Sequence, residues 1–110
     1  MTGNSAASPE LVALRDELRD FAAARGWRDY HTPKNLAMAL IVEAAELVEH
    51  FQWATPEESR NLAPEKAAAV RDEVADVLIY LIELADVLGI DPVAAVRDKI
   101  VKNARKYPAP

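Results

Sequence analysis

Apolar residues recur along this chain at three- and four-residue intervals, the spacing that lines one face of an α-helix. Leu11, Leu14, Leu18 and Phe21 form one such stripe and predict a helix from Pro9 to about Arg25. A second periodic segment starts after Thr32 and predicts a helix to about Trp53. A third opens near Pro64 or Glu65, carries Val70, Val74, Val77, Leu78, Leu81 and Leu88, and stops at Gly89. A fourth opens at Asp91-Pro92 and ends before Pro108, with Val93, Val96 and Ile100 expected to face inward. Ser8, Thr32, Thr55 and Asp91 each precede a proline, which reads as a capping oxygen followed by a residue that loses no backbone donor at the first helical position. Glu58, three residues after Thr55, completes a capping box over a short turn. Gly26 and Gly89 follow long periodic stretches, where a left-handed stop favours a residue without a side chain. No segment alternates with period two for long enough to propose a strand. The expectation is an all-α, four-helix-bundle-like single domain over residues 9–110, preceded by a flexible tail over residues 1–8.

Two stretches are apolar on every side: Ala37 to Val42, and Val77 to Ile82. A helix apolar all round is buried all round, and a chain of 110 residues has little of its own to cover it with. A homo-oligomer, a dimer or a tetramer, is therefore expected. The net charge of −5 argues against a nucleic-acid polymer or an anionic membrane as partner, since both need clustered positive charge. The absence of cysteine excludes disulfides, thiol nucleophiles and Cys-ligated metals. No apolar run approaches the length of a bilayer span, and the opening MTGNSAAS has neither the basic nor the apolar region of a secretory leader. A soluble cytoplasmic protein is expected.

The chemistry lies in acids placed where apolar residues belong. Glu43 falls three residues after Leu40 and four before Leu47, on the apolar stripe, and Glu46 follows one turn later. Glu73 and Asp76 repeat the pattern on the third long helix, with Tyr80 one further turn along. Unpaired carboxylates turned inward must be neutralised by basic side chains or by metal ions, and an all-oxygen ligand set suits Mg²⁺ or Mn²⁺ better than zinc. A lone acidic pair on a helix is most often a solvated face. That reading is taken for Glu10, Asp16, Glu17, Asp20, Glu49, Glu57, Glu58, Glu65 and Asp72, and it stays open for the quartet. A di-iron or di-manganese bundle would require Glu-x-x-His on two helices, and Arg28 and Leu47 stand three residues before His31 and His50. Phe21 and Phe51 read as core, and His50 as surface.

The stretches FAAARGWRDYHTPKNLAMALIVEAAELVEHFQW, DEVADVLIYLIELADVLGID and KIVKNARKYP together resemble the MazG-like, all-α nucleoside triphosphate pyrophosphohydrolases, most of all the dCTP pyrophosphatase branch. The resemblance implies that Glu43, Glu46, Glu73 and Asp76 bind Mg²⁺ and carry the catalysis, releasing a nucleoside monophosphate and pyrophosphate. It implies that Lys99 and Asn103 approach the phosphates, that Tyr80 and Tyr107 belong to the site, and that Trp27, His31, Asn35 and Trp53 line its nucleoside side. It implies a dimer, or a dimer of dimers, whose sites draw residues from more than one subunit. A carboxylate not committed to metal can serve as general base, and Glu46 is the candidate. Arg105 and Lys106 either add phosphate-binding charge or simply answer the helix dipole, and Asn35 either contacts the nucleoside or helps cap its helix. The segment from Ala54 to Ala63 departs from many relatives, which leaves the base open. The alternatives are a dUTP, general dNTP or phosphoribosyl-ATP pyrophosphohydrolase, or a nucleotide-binding helical module without catalysis.

Overall fold

The structure, a computed structural model, describes residues 8–110, and these are all helix and turn. The tail expected over residues 1–8 lies outside the described residues except for Ser8, which caps the first helix by accepting from the Leu11 N–H. Helix α1 runs Pro9–Ala24 and ends at Gly26, whose φ of 69° is the left-handed stop expected of it. A 3₁₀ turn over Arg28–Tyr30, not foreseen from periodicity, leads into α2 (Pro33–Glu49), capped by Thr32. The five-residue α3 (Pro56–Arg60) opens on the complete Thr55/Glu58 capping box. Helix α4 (Pro64–Val87) stops at Gly89, with φ 68°, and α5 (Pro92–Lys106) is capped by Asp91.

One boundary differs from expectation. Helix α2 ends at Glu49 rather than near Trp53, and the next residues wind into tight turns, Phe51 N–H to Val48 C=O and Ala54 N–H to Phe51 C=O. Pro56 forces Thr55 into an extended conformation, so the chain uses these four residues to slow the helix and turn toward α3.

Helices α2 and α4 pack along their length and form the body, and α1 lies across α4. A bidentate ion pair clamps α1 in place: Arg19 Nε donates to Asp86 Oδ2 at 2.8 Å, and Arg19 Nη2 donates to Oδ1. The Arg19 guanidinium holds the Asp86 carboxyl below its usual range. Helix α5 makes no extended packing with α2 or α4, and its inward-facing assignment is corrected accordingly: Val96 is 57% exposed and Ile100 61%. Phe21 is likewise no core residue, at 49% exposed, with the Arg25 guanidinium over its ring. Only Ala22, Leu36, Ile82 and Ala85 are buried apolar residues among those described. The radius of gyration is 16.9 Å, against the roughly 13 Å of a compact chain this long. A closed bundle is not formed by one copy.

Candidate functional site

The inward line of α2 meets the inward line of α4 at carboxylates. Glu43, Glu73 and Asp76 each present an oxygen, and these three atoms lie within 4.8 Å of one another, with all three residues half-buried. Glu46, one turn along α2, adjoins this focus: its charge acts on both Glu43 and Glu73, and its side chain hydrogen-bonds with each. The electrostatics are those of acids forced together. Burial above all, then the Glu46 charge, hydrogen bonding with Asp76 and the Glu73 charge, push the Glu43 carboxyl up to about 7. Glu73 is also raised, by burial first and then by Glu46 and Asp76, while His50 pulls it down. His50, read as surface from its spacing, is thus half-buried and faces the acids. Glu73 Oε2 is shut off from solvent and has no hydrogen-bond partner among the described residues. A buried acceptor without a donor, surrounded by carboxylates, fits a divalent cation, which has several oxygen ligands to gather and keeps waters besides.

Tyr80 lies one turn beyond Asp76 on α4, half-buried, and its hydroxyl is raised by burial and by the charges of Glu43, Glu83 and Asp76. It belongs to the same acidic environment. At one end of the body, Trp27 is 46% exposed and packs edge-on against Phe21 at 5.7 Å between ring centroids. Its ring lies 6.5 Å from that of His31, and His31 Nδ1 is 3.4 Å from Glu83 Oε2. Asn35 works locally: its backbone N–H donates to Thr32 Oγ1 at 3.2 Å and its side-chain amide donates to the Tyr30 carbonyl at 2.9 Å, tying the 3₁₀ turn to α2. At the other end, Trp53 is 89% exposed beside an open hollow of about 570 Å³ lined also by His50, Glu57, Asn61 and Lys66.

Lys99, Asn103 and Tyr107 are exposed on α5 or at its end, and the single chain does not gather them at the carboxylates. Tyr107 closes α5 by donating its backbone N–H to the Asn103 carbonyl at 2.7 Å, with the Lys106 ammonium 5.4 Å above its ring. Arg105 and Lys106 occupy the last turn of α5. Residue-by-residue reading missed Glu83, although its position three residues after Tyr80 continues the line through Asp76.

A family model described as MazG-like matches residues 38–110, which include the acids of α2, all of α4 and α5. The chain belongs to the MazG-like family. It is 43% identical over 103 residues to human dCTP pyrophosphatase 1 and 42% identical over 102 residues to the bovine protein of that name. These alignments take in 92% and 91% of this chain but only 61% and 60% of the relatives, so the chain spans about three-fifths of the length of the curated proteins it matches. A crystal structure of a pyrophosphatase from Archaeoglobus fulgidus superposes with a TM-score of 0.87 at 47% identity, covering 93% of this chain and 95% of that one. This MazG-like chain therefore shares its fold with the archaeal pyrophosphatase, and the two align over nearly the whole of both chains.

Proposed function

We propose that this protein is a divalent-metal-dependent nucleoside triphosphate pyrophosphohydrolase that hydrolyses dCTP, or a modified dCTP, to the monophosphate and pyrophosphate. The observation that carries this reading is the convergence of Glu43, Glu73 and Asp76 on one half-buried focus with an orphaned oxygen. The choice of cytosine rests on the two mammalian dCTP pyrophosphatases at 43% and 42% identity.

Glu43, Glu73 and Asp76, with Glu46 beside them, would hold Mg²⁺, or Mn²⁺ in its place. When bound, the ion lets a triphosphate approach a cluster of like charge and polarises the phosphorus under attack. Glu46 takes the proton from the attacking water, a role supported by its contact with Glu43 and Glu73 at the edge of the cluster. Lys99 and Asn103, four residues apart on one face of α5, grip the phosphate chain, and Tyr107 closes that end of the site. Trp27, His31 and Trp53 receive the nucleoside, with Asn35 fixing the turn that carries His31. Since α5 stands away from the carboxylates within one chain, the lysine and asparagine reach them from a second copy in a dimer or dimer of dimers. The exposed apolar faces of α2 and α4, with Ile41 at 66% and Leu78 at 48%, support that assembly. Among the described residues no helix is long and apolar enough to cross a membrane, and the nucleotide pool is the proposed place of work.

A panel of nucleoside triphosphates incubated with Mg²⁺ tests the reading. Pyrophosphate released fastest from dCTP supports it. Release chiefly from dUTP moves the base preference, and binding without turnover refutes the enzyme.

A further inference from the structure

The acidic line of α4 does not end at Tyr80. One turn on, Glu83 has a side chain only 13% exposed. The hollow it enters is also lined by Arg15, Arg19 and Arg28. Arg19 is committed to Asp86 in the bidentate clamp, and Arg15 donates to Asp16 at 3.0 Å. Arg28 acts on Asp86, and among the described residues the basic group within 4 Å of Glu83 is His31, 19% exposed, with Nδ1 3.4 Å from Glu83 Oε2. That separation is an ion-pair distance, longer than an aligned hydrogen bond. Burial raises the Glu83 carboxyl, and His31 pulls it back. The backbone around His31 is fixed as well: Asn35 holds the Tyr30 carbonyl at 2.9 Å, and Thr32 caps α2 at the very next position. Nδ1 is thus the ring nitrogen that stands near an acceptor on α4, and neither ring nitrogen makes a hydrogen bond among the described residues. In a neutral imidazole only one nitrogen carries the proton, and the partner of one nitrogen decides what the other can do.

We propose that Glu83 is a positioning residue for His31, holding the Nδ1 proton toward α4 so that Nε2 is a hydrogen-bond acceptor for a donor on the nucleoside. The donor is a base amino group or a sugar hydroxyl. This rests on the reading of His31 as a nucleoside contact, and it explains why an acid is kept in a place where burial penalises it.

Long-range proton–nitrogen spectra of the labelled full chain, at about pH 8.5 where imidazoles are neutral, read the tautomer directly. His50 serves as the internal reference. Wild type is expected to carry the proton on Nδ1 of His31, Glu83→Ala to move it toward Nε2, and Glu83→Gln, which keeps an acceptor, to hold it largely on Nδ1. A wild-type spectrum with the proton on Nε2 overturns the proposal whatever the variants do. In turnover, Glu83→Ala is expected to raise KM for dCTP about fivefold with kcat nearly unchanged, the signature of lost uniform binding. If that rise vanishes with dUTP, the donor is the base amino group. If it vanishes with 2′,3′-dideoxy-CTP, the donor is the sugar hydroxyl. No rise, or the same rise on all three nucleotides, overturns the proposal. Should wild type hydrolyse no triphosphate, the enzymatic reading falls, while the spectrum still decides whether Glu83 orients His31.

Discussion

A carboxyl group pushed up to about 7 is a statement about stability as well as about chemistry. Glu43 binds its proton more tightly folded than unfolded. Its contribution is therefore fully present below the unfolded value of 4.5 and lost as pH rises through about 7. Glu73 and Glu83 are raised in the same direction, whereas Asp86, held low by Arg19, contributes above its usual range and is lost only in stronger acid. Metal-free protein should thus show a falling thermal midpoint between pH 4.5 and about 7, a slope that Glu43→Gln flattens. Mg²⁺ should raise the midpoint most above pH 7, where it no longer competes with a proton at Glu43. A metal-free midpoint that climbs across that window would contradict the assignment. Turnover asks a different question of Glu46. Glu46→Gln should cut kcat by about 100-fold or more, as the loss of a general base does, while metal still stabilises the fold. Wild-type rates in that variant would remove Glu46 from the chemistry.

Among the elements, the turn from α4 to α5 matters most, because it sets where α5 leaves the body. Gly89 holds φ at 68° there, and a Cβ built on it would meet nothing within 4 Å. Gly89→Ala therefore tests backbone strain alone and should cost about 1–2 kcal/mol in thermal or urea unfolding. A neutral result would mean that the turn relaxes to another conformation. That turn was legible because local chemistry specified it, and so were the four proline-led caps and the Thr55/Glu58 box. The acidic lines on α2 and α4 were legible for a related reason: helical spacing places Glu43, Glu73 and Asp76 on faces that must meet. Periodicity did not reveal where α5 points. The stripe of Val96 and Ile100 records that a surface is to be covered, without recording which chain covers it. Nor could spacing pair His31 with Glu83, or Arg19 with Asp86, since those contacts depend on how α1 and the 3₁₀ turn lie on α4.

At the scale of the whole molecule, one copy leaves too much apolar surface in water. Met38, Ile41 and Val42 on α2, and Leu78 and Leu81 on α4, are all about half or more exposed, on the helices that form the body. Burying the exposed half of each such side chain would contribute about 1 kcal/mol, so association offers a stabilisation that the isolated chain forgoes. In the assembly proposed above, the copy that covers those faces is also the one that brings Lys99 and Asn103 of α5 to the carboxylates. Ile41→Glu or Leu78→Glu should accordingly yield monomers by sedimentation and lose turnover with the acidic residues untouched. Subunit mixing asks directly whether the site is shared. Glu46→Gln and Lys99→Ala chains are each impaired alone, but after unfolding and refolding together half of the dimers are mixed, and each mixed dimer holds one site with an intact Glu46 and an intact Lys99. About a quarter of wild-type activity at low dCTP should return if the two residues meet across the interface. If Glu46 and Lys99 of the same chain served one site, every site in the mixture would carry one of the two defects, and mixing would recover nothing.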